Sequence, residues 1–112
     1  MTAVELIGEW GAGPTAQVSD RWRFVKFLPT GTVYISHDYD MYGLWWRYNP
    51  ESGLELSDGT EWQGPYEVQL ERRQLGGGEV RVLVFSGSRL PFFERDLYRL
   101  EEYRTLSRVA AE

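Results

Sequence analysis

The chain has 112 residues, of which 42% are hydrophobic and 15% aromatic, enough apolar material for one globular domain with a buried core. Its formal net charge of −5 argues against nucleic-acid binding, which requires a basic surface, and against docking on anionic lipid. The absence of cysteine excludes disulfides, thiolate nucleophiles and thiolate metal sites.

The amino-terminal residues carry neither the basic segment nor the apolar segment of a secretory signal. No apolar run approaches the length of a membrane span. We therefore predict a cytoplasmic protein that folds as a single domain over residues 1–112. At its end, residues 104–112 are predicted to form a frayed or helical tail.

A β-hairpin is predicted where two β-rich segments, residues 21–28 and 32–36, flank Pro29-Thr30-Gly31. Proline presets the φ of the first turn corner, and glycine accepts a positive φ at little steric cost. In the first strand, Trp22 and Phe24 lie on the face opposite Val25 and Phe27. Either a neighbouring segment or the tail covers Trp22 and Phe24, or they form an outer patch for a partner or a second copy.

Further strand signals follow at the spacing expected of an antiparallel meander. Residues 43–49 have strong β propensity, and residues 54–57 and 66–71 alternate between apolar and polar side chains. Residues 80–85 are apolar on both faces. Turn signals separate them at Asn49-Pro50, Asp58-Gly59 and Gly76-Gly77-Gly78. The pattern predicts an all-β fold of about eight strands that close into a small barrel.

The carboxyl-terminal part permits two interpretations. Residues 97–103 can form a last strand, whereas Phe93, Leu97, Leu100 and Leu106 lie near helical spacing. We favour a strand through about Tyr103 followed by a short helical or frayed tail, because one more strand would cover an open sheet edge.

The densest aromatic region surrounds residues 43–49. Trp46 and Tyr48 share one face of this predicted strand, Trp45 lies on the other, and Tyr42 comes just before it. Large aromatic side chains most often fill the interior of a small barrel. They can also floor a pocket for an apolar or sugar-like ligand, which makes Tyr42, Trp45, Trp46 and Tyr48 the ligand-binding candidates.

Residues that could carry chemistry are few. His37-Asp38-Tyr39-Asp40 contains the one histidine of the chain, whereas a catalytic zinc site usually needs three protein ligands. No Gly-x-Ser-x-Gly elbow occurs, and the glycine triplet lacks the lysine of a phosphate-binding loop. We therefore expect a solvated loop at His37, no enzymatic activity, no metal site and no cofactor.

Several short motifs are similar to those of a known family. Gly8-Glu9-Trp10 resembles the Gly-x-Trp signature of lipocalins and the wider calycin group. The Pro-Thr-Gly-Thr turn resembles that of small bacterial lipocalin-like domains, and Tyr98-Arg99-Leu100 completes the pattern. The resemblance implies an up-and-down β-barrel in which Trp10 packs at the closed end. It also implies that a late arginine, Arg99 or else Arg104, crosses Trp10 in a structural cation–π contact.

The function predicted from these features is that of a non-catalytic binding or interaction module that acts through its surface. The alternative is a small apolar-ligand binder with an aromatic-lined barrel pocket. A protein partner, a second copy of the chain and a small apolar ligand remain open. No nucleic acid or membrane is expected as a partner.

Overall fold

The computed structural model describes residues 1–11, 24–37, 40–86 and 96–102. Trp22, Arg104 and the predicted tail at 104–112 lie outside these ranges. These ranges contain the short helix α1 (Ala3–Leu6) and the strands β1 (Gly8–Gly11), β2 (Phe24–Phe27), β3 (Thr32–His37), β4 (Asp40–Asn49), β5 (Gly53–Ser57), β6 (Trp62–Tyr66), β7 (Val68–Leu75), β8 (Gly78–Phe85) and β9 (Asp96–Arg99), and residues 100–102 are also helical. In this part of the chain, no helix has the length and apolar character needed to cross a bilayer.

The strands form one antiparallel sheet in the order β6-β5-β4-β3-β2-β1-β9-β8-β7. Strands β6 and β7 follow one another in the chain with only Glu67 between them, yet they lie at opposite edges of the sheet. The sheet must therefore curl until its two edges meet at Glu67. The result is an antiparallel β half-barrel with a seam between β6 and β7, which confirms the predicted all-β meander.

The predicted hairpin is formed by β2 and β3. Its turn is closed by hydrogen bonds from the Leu28 N–H to the Thr32 carbonyl (2.9 Å) and from the Gly31 N–H to the Leu28 carbonyl (3.1 Å). Gly31 has a φ of 93°, a value that glycine adopts readily. The register sets Phe27 opposite Val33, so that both side chains point into the core.

One predicted strand proved to be the junction of two strands. Residues 66–71 were expected to form a single alternating strand, but Tyr66 ends β6 and Val68 begins β7. The alternation continues through the junction because Tyr66, Val68 and Leu70 all pack against the same core. Strand β6 itself was not predicted. It contains Gly64, with a φ of 110°, and a cis bond before Pro65.

The predicted strand through Tyr103 was also wrong in its extent. Strand β9 ends at Arg99, and residues 100–102 are helical. This turn brings the Glu102 carboxylate back to β8, where it accepts hydrogen bonds from the Arg81 backbone N–H (3.1 Å) and Nε (3.0 Å). Strand β9 does not lie at an edge, because it pairs with both β1 and β8.

A single apolar cluster fills the concave side of the sheet. Its members come from α1 and from all strands except β6 and the distal part of β7: Leu6, Trp10, Val25, Phe27, Val33, Ile35, Trp46, Leu54, Leu56, Val68, Leu83, Phe85 and Leu97. Helix α1 contributes Leu6, which is fully buried. The Leu6 carbonyl also accepts a hydrogen bond from the Trp10 indole N–H at 2.8 Å.

Arg99 lies across Trp10, its partner in the β1–β9 register. The guanidinium carbon of Arg99 is 5.0 Å from the centre of the Trp10 ring, and Nη1 donates a hydrogen bond of 2.6 Å to the Ile7 carbonyl. Gly8 leaves the space for this side chain, since any Cβ at Gly8 would overlap the guanidinium. Burial lowers the pKa of Arg99 below its ordinary value.

Candidate binding surface

The four aromatic residues predicted to line a ligand pocket do not share one face of β4. Tyr42, Trp46 and Tyr48 alternate on the concave side, whereas Trp45 lies on the outer side. Trp46 is 9% exposed. Its ring packs edge-to-face on Phe27 with centroids 5.2 Å apart, and its indole N–H donates to the Leu28 carbonyl at 3.0 Å.

Tyr48 borders an open groove of about 750 Å³ at the seam of the half-barrel. Glu5, Pro65, Glu67 and Leu70 also contribute to its lining. Tyr42 and Trp46 are not part of this lining. The concave aromatic residues of β4 therefore do not converge on the groove.

The outer side of β3 to β6 carries a different set of apolar side chains, all largely exposed. We call this set the outer aromatic face and define it by four residues with their exposed fractions: Tyr34 (40%), Met41 (63%), Trp45 (51%) and Trp62 (40%). The sequence interpretation singled out Trp45 but not the other three. The sequence could have identified Tyr34 as outward-facing, because it lies between Val33 and Ile35, which both point into the core.

The two exposed tryptophans lie in one row across three strands. Trp45 of β4 is opposite Ser57 of β5, and Ser57 is in turn opposite Trp62 of β6. Because neighbouring strands are about 4.8 Å apart, the two tryptophan backbones are separated by roughly 9.5 Å. Ser57, which is only 6% exposed, lies between the two tryptophans in this row.

Trp62 is held in place by a stacked, ion-paired arginine. The guanidinium carbon of Arg47 is 4.0 Å from the Trp62 ring centre. Arg47 also donates to both carboxylate oxygens of Glu55, from Nε at 3.1 Å and from Nη2 at 3.2 Å. A bidentate pair of this kind fixes the plane of the guanidinium, and the fixed plane in turn orients the indole stacked on it.

We expect Glu55→Gln to loosen the Trp62 indole while changing stability little, by less than about 1 kcal/mol, since exposed ion pairs contribute little to folding. The measurement is the ¹⁵N order parameter of the Trp62 indole N–H, which should fall. Glu51→Gln, an exposed change in the β4–β5 turn, serves as the matched control. An unchanged order parameter in Glu55→Gln would show that the ion pair does not position Trp62.

An acidic turn joins Ser57 to Trp62. Asp58 accepts hydrogen bonds from the backbone N–H of Thr60 at 3.0 Å and from its hydroxyl. The Thr60 hydroxyl and then its N–H lower the pKa of Asp58 below the ordinary value. Glu61, the next carboxylate, is exposed, so the row of tryptophans ends beside two negative charges.

Thr60→Val should raise the pKa of Asp58 toward its ordinary value, because it removes the hydroxyl donor and keeps the N–H. A folded-state pKa below the unfolded one means that Asp58 favours the folded turn at neutral pH. That contribution is lost as the pH falls through the folded pKa. An NMR titration of the Asp58 carboxyl measures the shift, with Thr30→Val as control. Equal midpoints in wild type and Thr60→Val would contradict the assignment.

The remaining predicted site residues lie apart from this row. Phe24 is half-buried on the outer side of β2, opposite Ser36. His37 and Asp40 are opposite one another in the β3–β4 register, and their side chains lie outside the description. Among the described residues, no three His, Cys, Asp or Glu side chains are grouped so that they could hold a metal ion.

The outer side of β7 to β9 differs from the outer aromatic face, because it is tied together by charged groups. Arg73 donates hydrogen bonds to Asp96 (3.0 Å), to the Tyr98 hydroxyl (3.2 Å) and to Glu71 (3.2 Å). These hydrogen bonds, with that to Asp96 first, raise the pKa of Arg73. This network satisfies its own members and therefore has the character of a structural cluster.

Comparison of the chain with protein-family models, curated proteins and solved structures found no match. A function for the half-barrel therefore has to be proposed from its own surface chemistry.

Proposed function

We infer that the chain is a non-catalytic binding module that recognises its partner through the outer aromatic face. The observation that carries this proposal is the pair of half-exposed tryptophans, Trp45 and Trp62, aligned on one row of the sheet. A contiguous exposed apolar patch on a small domain is typical of an interaction site.

The composition of the face supports the proposal. Binding interfaces are enriched in tryptophan, tyrosine, methionine and arginine, and their centres are poor in lysine, aspartate and glutamate. Tyr34, Met41, Trp45, Trp62 and the adjacent Arg47 have this composition. Arg47 is neutralised by Glu55, so the centre of the face presents aromatic rings with no net charge.

Preorganisation is the second support. A flexible side chain loses conformational entropy when a ligand immobilises it, and this loss weakens binding. Trp62 is already held by Arg47. The Tyr34 ring lies over Gly43, where an added Cβ would be 3.5 Å from it. All of these residues lie on β-strands, which position side chains more precisely than loops do.

The alternative function is a small apolar-ligand binder of lipocalin-like type, which would use the concave side. Its support is the order of the strands and Tyr42, which is 40% exposed in the concave register. The concave side offers less room, because Trp46 is packed on Phe27 and hydrogen-bonded to Leu28. Saturable binding of a fluorescent fatty acid that is lost in Tyr42→Ala and kept in Trp45→Ala would favour this alternative.

Quantitative affinity capture from a lysate of the source tests the proposal. The immobilised wild-type chain should retain a stoichiometric partner, and Trp45→Ala and Trp62→Ala should each reduce retention by about tenfold or more. Val4→Ala, which removes a side chain that is 74% exposed on helix α1, is the control and should retain the partner fully. Equal retention by all variants, or retention of chaperones alone, would overturn the proposal.

A further inference from the structure

We propose that the open edge of β7 takes up an extended, basic segment of a partner protein as an additional strand of the sheet. This site is separate from the outer aromatic face, and the inference goes beyond the function proposed above. Four observations support it: the position of β7 at an edge, the direction of its backbone groups, the groove beside it and the charge of that groove.

Strand β7 forms one edge of the sheet and is regular over its whole length. Within the described part of the chain, it pairs with β8 from Val68 opposite Phe85 to Leu75 opposite Gly78, and with no other strand. Its eight residues include no proline, and the register contains no bulge. Natural edge strands that resist pairing are short, bulged or interrupted by proline. Strand β7 is therefore able to accept a neighbour.

The backbone groups of every second β7 residue point to this open edge. The Ser86 N–H donates to the Glu67 carbonyl at 3.2 Å, and the β7–β8 register, extended by one residue, places Glu67 opposite Ser86. In an antiparallel pair, residues directed at the partner strand alternate with residues directed away from it. Leu70, Arg72 and Gln74 are therefore directed away from β8. Their N–H and carbonyl groups can form a ladder with a further strand.

The other edge of the sheet is less suited to strand addition. Strand β6 contains Pro65, which has no N–H to donate to a neighbouring strand. Its register with β5 also shifts between Leu54 and Leu56. Both features are typical of edges that resist pairing. An added strand would therefore pair with β7.

The groove at the seam provides space beside this edge. Its lining includes Val68, Gln69 and Leu70 from the beginning of β7, together with residues 50–53 between β4 and the beginning of β5. Its volume of about 750 Å³ lies within the range of about 300–1,000 Å³ that is typical of ligand sites. An extended chain that entered the groove could continue along β7 towards Gln74.

The charge of the groove determines the charge of the segment. Glu5, Glu51 and Glu67 line it, and its described lining residues include no lysine or arginine. The three carboxylates outnumber the amino group of Met1, which lies near Glu5. Glu51 and Glu67 belong to exposed residues. Lysine or arginine side chains on the added segment would therefore be attracted to the groove.

A second copy of the chain fits this edge less well. A two-fold pairing of β7 with itself places its central residue opposite the same residue of the other copy. At Glu71, Arg72 or Arg73 such a pairing sets like charges opposite one another, which destabilises a sheet. Two copies that each carry a net charge of −5 also repel one another. Addition of a partner's extended segment to a sheet edge is an established mode of recognition.

Fluorescence anisotropy of a labelled hexapeptide of alternating valine and lysine tests the inference. We expect saturable binding with a Kd below about 1 mM. Methylation of alternate backbone N–H groups removes the donors along one edge of the peptide only. One of the two alternately methylated peptides should therefore bind about tenfold or more weakly, and the other should bind as the parent does. Equal binding of the two methylated peptides, or no binding of the parent, would overturn the inference.

Arg72→Pro is the corresponding change in the protein. It removes an N–H that points to the open edge and keeps the hydrogen bonds to β8, as proline in an edge strand allows. Binding of the peptide should weaken about tenfold or more. Arg72→Ala makes the same change in charge and should bind at least as tightly as wild type, with circular dichroism to verify that both variants fold. Equal binding by the two variants would contradict the assignment to the edge.

Two further variants locate the peptide on the protein. Glu51→Gln should weaken binding of the lysine peptide about threefold and leave binding of a valine-serine peptide unchanged. No effect on the lysine peptide would overturn the basic character of the segment. Trp45→Ala should leave binding of both peptides unchanged, because Trp45 lies on the outer aromatic face. Loss of binding in Trp45→Ala with full binding in Arg72→Pro would overturn the inference and move the peptide to that face.

Size-exclusion chromatography distinguishes a partner segment from a second copy. The wild-type chain should elute as a monomer, and a dimer that is abolished by Arg72→Pro would overturn the inference in favour of self-pairing. The capture experiment with Trp45→Ala and Trp62→Ala is independent of these outcomes. The function proposed for the outer aromatic face can therefore fail while the inference on β7 stands, and the reverse.

Discussion

Trp10→Ala is expected to lower the free energy of unfolding by about 4 kcal/mol, as removal of a fully buried tryptophan from a packed core typically does. Trp10 has no exposed surface. Its loss would leave a cavity beside Leu6, free the Leu6 carbonyl of its indole donor, and expose Arg99 to a void where the ring had been. Urea denaturation followed by circular dichroism measures the change.

The same substitution on the outer side of the sheet is the matched control. Trp45→Ala removes an equally large side chain that is already 51% exposed, so it should lower the free energy of unfolding by about 2 kcal/mol, roughly half as much. The contrast tests which tryptophans serve the core and which face solvent. Equal effects of Trp10→Ala and Trp45→Ala would contradict the described packing.

Gly53→Ala is expected to destabilise the fold by about 3 kcal/mol, for two reasons that act together. Gly53 has a φ of 122°, a conformation that residues with a side chain rarely adopt. A Cβ at this position would also overlap the carbonyl oxygen of Tyr66. Since that atom belongs to the backbone of β6, a side-chain rotation cannot relieve the overlap, and the edge strand has to move.

Gly31→Ala separates these two contributions. Gly31 also has a positive φ, of 93°, but an added Cβ would meet nothing within 4 Å. Its cost in stability should therefore be the conformational one alone, about 1 kcal/mol. Because β6 carries Trp62, Gly53→Ala should also weaken partner binding, whereas Gly31→Ala should not. Equal destabilisation by the two variants would show that the contact with Tyr66 is not close.

The hairpin and the meander could be predicted from the sequence because their signals are local. Pro29 and Gly31 determine a turn by their own backbone preferences, and strict alternation marks a strand that is buried on one side. The same alternation concealed the seam at Glu67. Residues on both sides of it face one core, so the pattern continues although the strand changes its neighbour.

The outer aromatic face could be predicted only in part, because it depends on the strand register. Adjacent positions in a strand point to opposite sides, so the sequence places Trp45 and Trp46 on different faces of the sheet. It does not show which face is the core, because both faces of this strand carry aromatic residues. The cross-strand partners decide which side is the core: Trp46 lies opposite Leu56 and Trp45 opposite Ser57. Trp62 was missed because its short strand lacks an alternating pattern.

The most direct test of the proposed binding surface is the ¹H–¹⁵N spectrum of the indole N–H groups with and without the captured partner. We predict that the Trp45 and Trp62 signals shift on binding, because both side chains are largely exposed on the outer aromatic face. The Trp10 and Trp46 signals should stay in place, since both groups are bonded within the core. A shift of Trp46 with unchanged Trp45 and Trp62 would contradict the account and assign binding to the concave side.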